Sequence, residues 1–421
     1  MSPIPKAILV DVIPLDVPKY EAEERLKELE NLVTTYGGVV IIKTIQKRGV
    51  PDYSTFVGKG KLEEIMQEGQ EKGANLLIMN NILKPGQLFN LNEILRKKFM
   101  EAWDRIDLIL KIFSKHAQTT EAKLQIELAK IRHMGPRIFG MGQELAQQRG
   151  GRGAVAGQGE TNIELMKRHL QAQELSIQKK LKHYELIRAG HRLRRRRSNL
   201  LTAAIVGYTN AGKSSLLNAL TGKKVYVADK LFATLDTRIG KIYLPQKHKE
   251  ILISDTIGFI QDLPPDLIQA FKSTLAETVE ADLILHVIDV ADPLVEKKIT
   301  VVEDILTQLG TTSGSKKIYV FNKMDLVRRL PPAIIDETKK TSDPRPGTEL
   351  PRPSMLKAGH TAAELLGWAE KERLIKERRK NPAPIPPETL KIMYSKFHPI
   401  FVSAVTGQNL DGLKKAIERM L

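Results

Sequence analysis

The sequence predicts an α/β protein in three parts: an N-terminal parallel α/β domain (residues 1–106), a long helical hairpin (107–197), and a second α/β domain with a mostly parallel sheet (198–421). Three observations predict it. Short apolar runs alternate with helical runs from Ala7 to Lys98, the pattern of βαβ units. A charged stretch with heptad-spaced apolar residues follows. Beyond it, three strand-like runs each end in a turn whose residues suit phosphate or base chemistry.

In chain order, Ala7 to Ile13 reads as a strand, Glu21 to Thr35 as a helix, Val39 to Ile45 as a strand, Lys61 to Lys72 as a helix, Asn75 to Met79 as a strand and Gln87 to Lys98 as a helix. From Asp107 the pattern turns wholly helical. Ile163, Leu170, Ile177 and Tyr184 recur at heptad spacing, with Met166 and Leu181 at alternate positions. Ala117 to Met134, with Leu124, Leu128 and Ile131 on one face, supplies an antiparallel partner. Between the two helices, a loop at about residues 149–160 holds too many glycines to pack a core. Carrying Arg149 and Arg152, it suits entry into a negatively charged place.

The apolar run Leu201 to Val206 leads into Gly207-Tyr208-Thr209-Asn210-Ala211-Gly212-Lys213-Ser214, and Ser215 continues into a helix. Glycines at a strand-to-helix turn leave backbone N–H groups and a helix N-terminus open to phosphate oxygens. Lys213 is placed to neutralise β- and γ-phosphate oxygens, and the Ser214 hydroxyl to ligate Mg2+. Asp255-Thr256-Ile257-Gly258 ends a second strand. Asp255 is expected to hold the Mg2+ shell through water, and the Gly258 N–H to meet the γ-phosphate.

Asn322-Lys323-Met324-Asp325 ends a third strand, Ile318 to Phe321. An Asp325 carboxylate accepts two hydrogen bonds from the N1–H and N2 amine of guanine, donors that adenine does not present in that arrangement. Asn322 is expected to brace the loop and Lys323 to lay its stem over the base. Ser403-Ala404-Val405 fits a last base-contact loop, with the Ala404 N–H facing the guanine oxygen. Between the first two motifs, Phe232-Ala233-Thr234-Leu235-Asp236-Thr237 is a candidate switch loop in which Thr234, rather than Thr237, is expected to supply a second Mg2+ ligand. Together the loops predict binding of GTP and GDP, with Lys213, Thr234 and Gly258 closest to the chemistry. Phe259 stands where many GTPases have a water-orienting Gln, so unaided hydrolysis is expected to be slow. Asn210 is a candidate K+ ligand, offsetting charge beside the phosphates.

Composition narrows the class. The 421 residues carry 66 Lys+Arg against 49 Asp+Glu, a formal net charge of +17 that favours a polyanionic partner. The densest basic run, His191-Arg192-Leu193-Arg194-Arg195-Arg196-Arg197, reads either as an RNA contact or as a solvated helix end. Aromatic residues are only 5%, which favours phosphate contact over base stacking. Cysteine is absent, which excludes disulfides and thiolate metal sites. No apolar stretch reaches spanning length. A cytoplasmic monomer is expected.

Several motifs outside the nucleotide loops resemble the HflX family of translation-related GTPases. They are Phe56-Val57-Gly58-Lys59-Gly60-Lys61-Leu62-Glu63-Glu64-Ile65, Trp103-Asp104-Arg105 followed by Leu108 to Phe113, Lys123 to Ala129, and Gly157-Gln158-Gly159-Glu160-Thr161. Phe232 to Asp236 resembles that family's first switch. The resemblance implies a GTPase that binds the large ribosomal subunit and its rRNA, splits stalled or idle ribosomes, and is stimulated by the ribosome. It also implies Ser214 and Thr234 as Mg2+ ligands and accounts for Phe259. Asn162-Ile163-Glu164 and an insertion at about 327–395 depart from the family pattern. A signalling GTPase acting on a protein partner, or an RNA-binding factor with no need of hydrolysis, are the alternatives.

Overall fold

The computed structural model describes residues 4–149, 156–198, 200–222, 238–256, 258–261, 267, 280–311, 315–327 and 387–421. Two sheets organise it. The first has the order β2-β1-β3-β4, with β1 (Lys6–Ile13), β2 (Val39–Lys47), β3 (Leu76–Met79) and β4 (Glu101–Asp104) all parallel. Helices α1 (Lys19–Tyr36), α2 (Lys59–Glu71) and α3 (Pro85–Arg96) connect the strands in turn. Helical cover on both faces explains why β1 is buried along Ala7–Ile13, an almost unbroken apolar run. The expected elements match these to within a few residues, but β4 was not expected. Helix α4 (Arg105–His116) starts at Arg105 because Asp104 caps it. The Asp104 carboxylate accepts the Asp107 N–H at 2.9 Å, and the Asp107 carboxylate accepts the Asp104 N–H at 3.2 Å.

Helices α5 (Thr120–Arg149) and α6 (Ala156–Arg197) form the hairpin. Arg188 pairs with Glu121 at 2.6 Å and Arg132 with Glu174 at 2.9 Å, contacts that run in opposite directions along the two helices. The first turns of α5 pack on the body: Ala122, Ile126 and Ala129 join the same buried cluster as Leu29, Ile109 and Phe113 of α1 and α4. Two expectations need correction. Along α6, Ile177 is buried but Met166 is 47% exposed, so the heptad seam is not continuous. The helix also begins at Ala156, inside the segment read as a glycine-rich loop.

The second sheet has the order β10-β9-β8-β5-β7-β6. Its strands are β5 (Thr202–Gly207), β6 (Arg238–Leu244), β7 (Lys249–Asp255), β8 (Leu283–Asp289), β9 (Lys317–Asn322) and β10 (Ile400–Phe401), and only β6 runs antiparallel. Helices α7 (Lys213–Thr221), α8 (Val295–Leu309), α9 (Pro387–Met393) and α10 (Leu410–Met420) complete the described residues of this part. The carboxyl ends of β5, β7, β8 and β9 open on one crevice, where open parallel sheets bind ligands. Apolar packing crosses between the two sheets, since Tyr208, Phe259 and Val302 share a cluster with Leu29 and Phe113. Most of the expected insertion, residues 328–386, lies outside the described residues. Among the described residues, no helix is long and apolar enough to cross a membrane.

Candidate functional site

At the end of β5 the chain leaves the sheet through a turn that only glycine permits. Gly207 has φ 152°, and a Cβ there would stand 2.2 Å from the Val287 carbonyl oxygen. Gly212 has φ 89°, and its Cβ would meet the Asn322 Nδ2 at 2.2 Å. Asn210, also left-handed at φ 61°, is exposed at the crest of the loop, and Ser214 and Ser215 lie in the first turn of α7.

Lys213 opens α7 and is buried, with Nζ donating to the Tyr208 carbonyl at 2.8 Å. Burial pulls its pKa down to about 8; the Asp255 carboxylate opposes that shift and Lys323 adds to it. Ser214 Oγ donates to Asp255 Oδ2 at 2.6 Å, and Asp255 is fully buried at the end of β7. A hydroxyl beside a carboxylate, both oxygen donors, is a ligand set that fits Mg2+. Next in sequence, Thr256 Oγ1 donates to the Ile205 carbonyl at 2.8 Å, tying β7 to β5.

The segment after Asp255 packs directly on the phosphate loop. Thr209 N–H donates to the Phe259 carbonyl at 2.7 Å, and Phe259 N–H to the Gly207 carbonyl at 3.1 Å. Gly258 sits so close that a Cβ would lie 2.8 Å from Thr209 Cγ2 and 2.9 Å from Lys213 Nζ. The Gly258 backbone thus stands beside the lysine expected at the γ-phosphate.

The base loops converge on the same crevice. Asn322 Nδ2 donates to the Ala211 carbonyl at 3.0 Å, and Asn322 Oδ1 accepts the Ala404 N–H at 3.0 Å. Lys323, at φ 67°, pairs with Asp289 at 2.8 Å. Asp325 Oδ1 accepts the Ser403 hydroxyl, which in turn accepts the Thr406 N–H at 3.2 Å. Met324 is buried, whereas Val405 is 80% exposed. The structure therefore brings together Gly207–Ser215, Asp255, Thr256, Gly258, Asn322–Asp325 and Ser403–Val405. Ile257 and the expected switch loop, Phe232, Ala233, Thr234, Leu235 and Asp236, lie outside the described residues.

Sequence reasoning missed a set of side chains that reach the loop from the other sheet. The Tyr208 hydroxyl donates to Glu28 Oε2 at 2.5 Å and accepts the Gln261 N–H at 2.8 Å. Arg105 pairs with Glu28 and donates to the Gln261 carbonyl at 3.3 Å. Burial, reinforced by the Glu28 charge and hydrogen bond, lifts the Tyr208 pKa well above 10, so the phenol stays a donor. Lys298 Nζ lies 4.7 Å from the centre of the Tyr208 ring, and Lys297 pairs with Glu21 of α1. Arg105 belongs to a motif already singled out; nothing local marked Glu28.

The chain is similar to several known proteins. The family described as "50S ribosome-binding GTPase" matches residues 202–323. "GTP-binding GTPase N-terminal" matches 23–114 and "GTP-binding GTPase Middle Region" matches 116–195. The chain is 45% identical over 327 residues to the GTPase HflX of Caldanaerobacter subterraneus subsp. tengcongensis, covering 77% of this chain and 74% of that protein. It is 37% identical over 376 residues to the GTPase HflX of Flavobacterium psychrophilum, covering 89% of each. A crystal structure of a GTP-binding protein from Sulfolobus solfataricus in complex with GDP aligns over 99% of this chain and 98% of that one. The identity there is 24% and the TM-score 0.44.

Proposed function

The chain belongs to the HflX family of GTPases, and from that premise we propose that it is a GTP-operated switch on the large ribosomal subunit, separating joined subunits and leaving on hydrolysis. It is a GTP hydrolase. The observation that carries the switch reading is the convergence of four loops on one crevice, with Lys213, the Ser214–Asp255 pair and Gly258 at one end and Asp325 with Ser403 at the other. Phosphate-suited groups and base-suited groups on one crevice support a purine nucleotide as ligand.

In this reading, Lys213 gives up its bond to the Tyr208 carbonyl and turns to the β- and γ-phosphates. Asp325 gives up the Ser403 hydroxyl and accepts the two donors of guanine. Mg2+, bound by Ser214 and Thr234 with Asp255 behind a water, would neutralise phosphate charge. Asn210 is the group proposed to hold K+ beside it. Gly258 meets only the γ-phosphate, so its position reports which nucleotide is present. Phe259, buried and with its backbone bridged to Tyr208 through bonds to Gly207 and Thr209, offers no side-chain hydrogen bond to an attacking water, which favours a slow intrinsic rate.

Support for ribosomal RNA as the partner comes from the net charge of +17 and from the end of α6, where His191, Arg194 and Arg197 are exposed. The test is GTP turnover with and without purified large subunits, in potassium and in sodium, for wild type and Lys213→Ala. Stimulation by subunits, lost in Lys213→Ala, is expected. A rate indifferent to subunits in both salts would overturn the ribosomal reading and favour a protein partner. Equal rates in potassium and sodium would remove the Asn210 assignment.

A further inference from the structure

We propose that Glu28 and Arg105, which belong to the first sheet's helices, are positioning residues for GTP hydrolysis: they hold the Tyr208 hydroxyl and the Gln261 peptide, and through them the place of Gly258. The inference rests on GTP sitting at the phosphate loop, as proposed above.

The geometry is a closed set of contacts. Tyr208 Oη bonds to Glu28 at 2.5 Å and to the Gln261 N–H at 2.8 Å. Arg105 holds the other side of Glu28 and the carbonyl of the same Gln261, at 3.3 Å. Arg105 is itself fixed: its Nη1 donates to Asn80 Oδ1 at 2.7 Å, and Asn80 Nδ2 donates to Asp11 Oδ2 at 2.9 Å. Asp11 is fully buried and accepts Arg25 Nε at 2.9 Å, so the chain of partners ends on β1 in the first sheet.

On the other side, Gln261 lies three residues beyond Gly258. Between them, Phe259 is clamped to Gly207 and Thr209 by two backbone bonds. Residues 259–261 are therefore held to the phosphate loop at both ends, once by the main chain and once by Tyr208. The Arg105 side chain is only 3% exposed and that of Glu28 15%, so the ion pair is shielded and its loss is not made good by water.

In the proposed function the Gly258 N–H meets the γ-phosphate, which GDP lacks. Loosening the 259–261 anchor therefore affects GTP and spares GDP, whereas a merely structural contact would affect both alike. That difference is the readout.

The experiment uses the full chain, with Tyr208→Phe, Glu28→Ala and the double variant, binding fluorescent GDP and a fluorescent non-hydrolysable GTP analogue, followed by single-turnover hydrolysis. Each single variant is expected to lose about tenfold in analogue affinity and in rate, the size of one hydrogen bond to a charged group. GDP affinity of Glu28→Ala should stay within about threefold, and the double variant should be no worse than either single, since both act on one unit. Equal losses for GDP and analogue, unchanged analogue binding in Tyr208→Phe, or additive losses in the double variant would each overturn the proposal. Lys213→Ala run in parallel separates the two readings: undiminished GDP binding there would remove the nucleotide from the loop altogether.

Discussion

Asn322 spans the crevice to Ala211, 111 positions earlier in the chain, by a 3.0 Å bond from its amide to the Ala211 carbonyl. With its other atom it holds the Ala404 N–H, so one buried side chain fixes the phosphate loop and both base loops in a common frame. Replacing Asn322 by Ala leaves a buried carbonyl and a partly buried N–H without their partner, at a cost of about 1–3 kcal/mol. Asn322→Ala is expected to lower GTP and GDP affinity together, by about tenfold or more, and to lower the urea midpoint. Selective loss of GTP alone would contradict this bracing role.

In the proposed reading, base choice rests on Asp325, whose carboxylate is presented by a 3-10 turn and held by Ser403. Asp325→Asn substitutes a donor for one of the two acceptors. Guanine then faces a donor with its own N2 amine, whereas xanthine offers a carbonyl there. GTP affinity is expected to fall about a hundredfold, with xanthosine triphosphate binding gained, because a donor mispaired against a base that covers it costs a few kcal/mol. Competition calorimetry with the two triphosphates decides it.

Lys213 is expected to make nucleotide affinity depend on pH. Burial sets its pKa near 8 in the free protein, and phosphate oxygens favour the charged form. Above pH 8 the lysine is neutral before binding and takes up a proton on binding. Affinity should therefore hold steady below pH 8 and fall by up to about tenfold per unit above it. Titrations at pH 8.5 in two buffers of different ionisation heat measure the uptake directly; zero uptake would contradict the assignment.

Much of this site was legible because nucleotide loops are local: spacing, glycine and the flanking strand stand together in the sequence, and Gly207, Gly212 and Asn322 occupy the places their chemistry demands. Strands buried on both faces, such as Ile8-Leu9-Val10, were legible for a similar reason. Glu101–Asp104 was not, since a four-residue strand with an acid at each end carries no apolar run. The heptad in α6 overstated the seam: the repeat marks a face, but whether anything covers it depends on where α5 lies, and Met166 stays exposed. Least legible was the Glu28–Tyr208 bond, which joins residues 180 apart in sequence through two separate sheets. A glutamate on an amphipathic helix looks the same whether it meets water or a phenol.

Acid should destabilise the fold through β8. His286 is buried, and burial holds its pKa below 6.5; below that pH the unfolded chain binds a proton that the folded chain resists, so stability falls. Burial would raise Glu303, but hydrogen bonds from His286 and Lys317 outweigh it and bring the carboxyl to about 2. Its contribution is complete above 4.5, the unfolded value, and is lost as pH falls towards 2. Urea midpoints of wild type should therefore decline from pH 6.5 downwards. Glu303→Gln should show a shallower decline between pH 4.5 and 2, and an identical slope would contradict the role of the pair.

Two glycines give opposite expectations for the same substitution. Gly190 lies exposed within α6, with nothing within 4 Å of an added Cβ. Gly190→Ala removes backbone freedom from the unfolded chain and fills no occupied space, so stability should rise by about 0.5–1 kcal/mol. Gly207→Ala instead drives a Cβ to 2.2 Å from the Val287 carbonyl oxygen at φ 152°, against backbone that belongs to the central pair of strands. Neither β5 nor β8 can yield without breaking its ladder, so the loss should reach about 3 kcal/mol or more. Calorimetric melting of the full chain should move upwards for Gly190→Ala and downwards by several degrees for Gly207→Ala, and the same direction for both would mean that the strand-end turn is not constrained as its geometry implies.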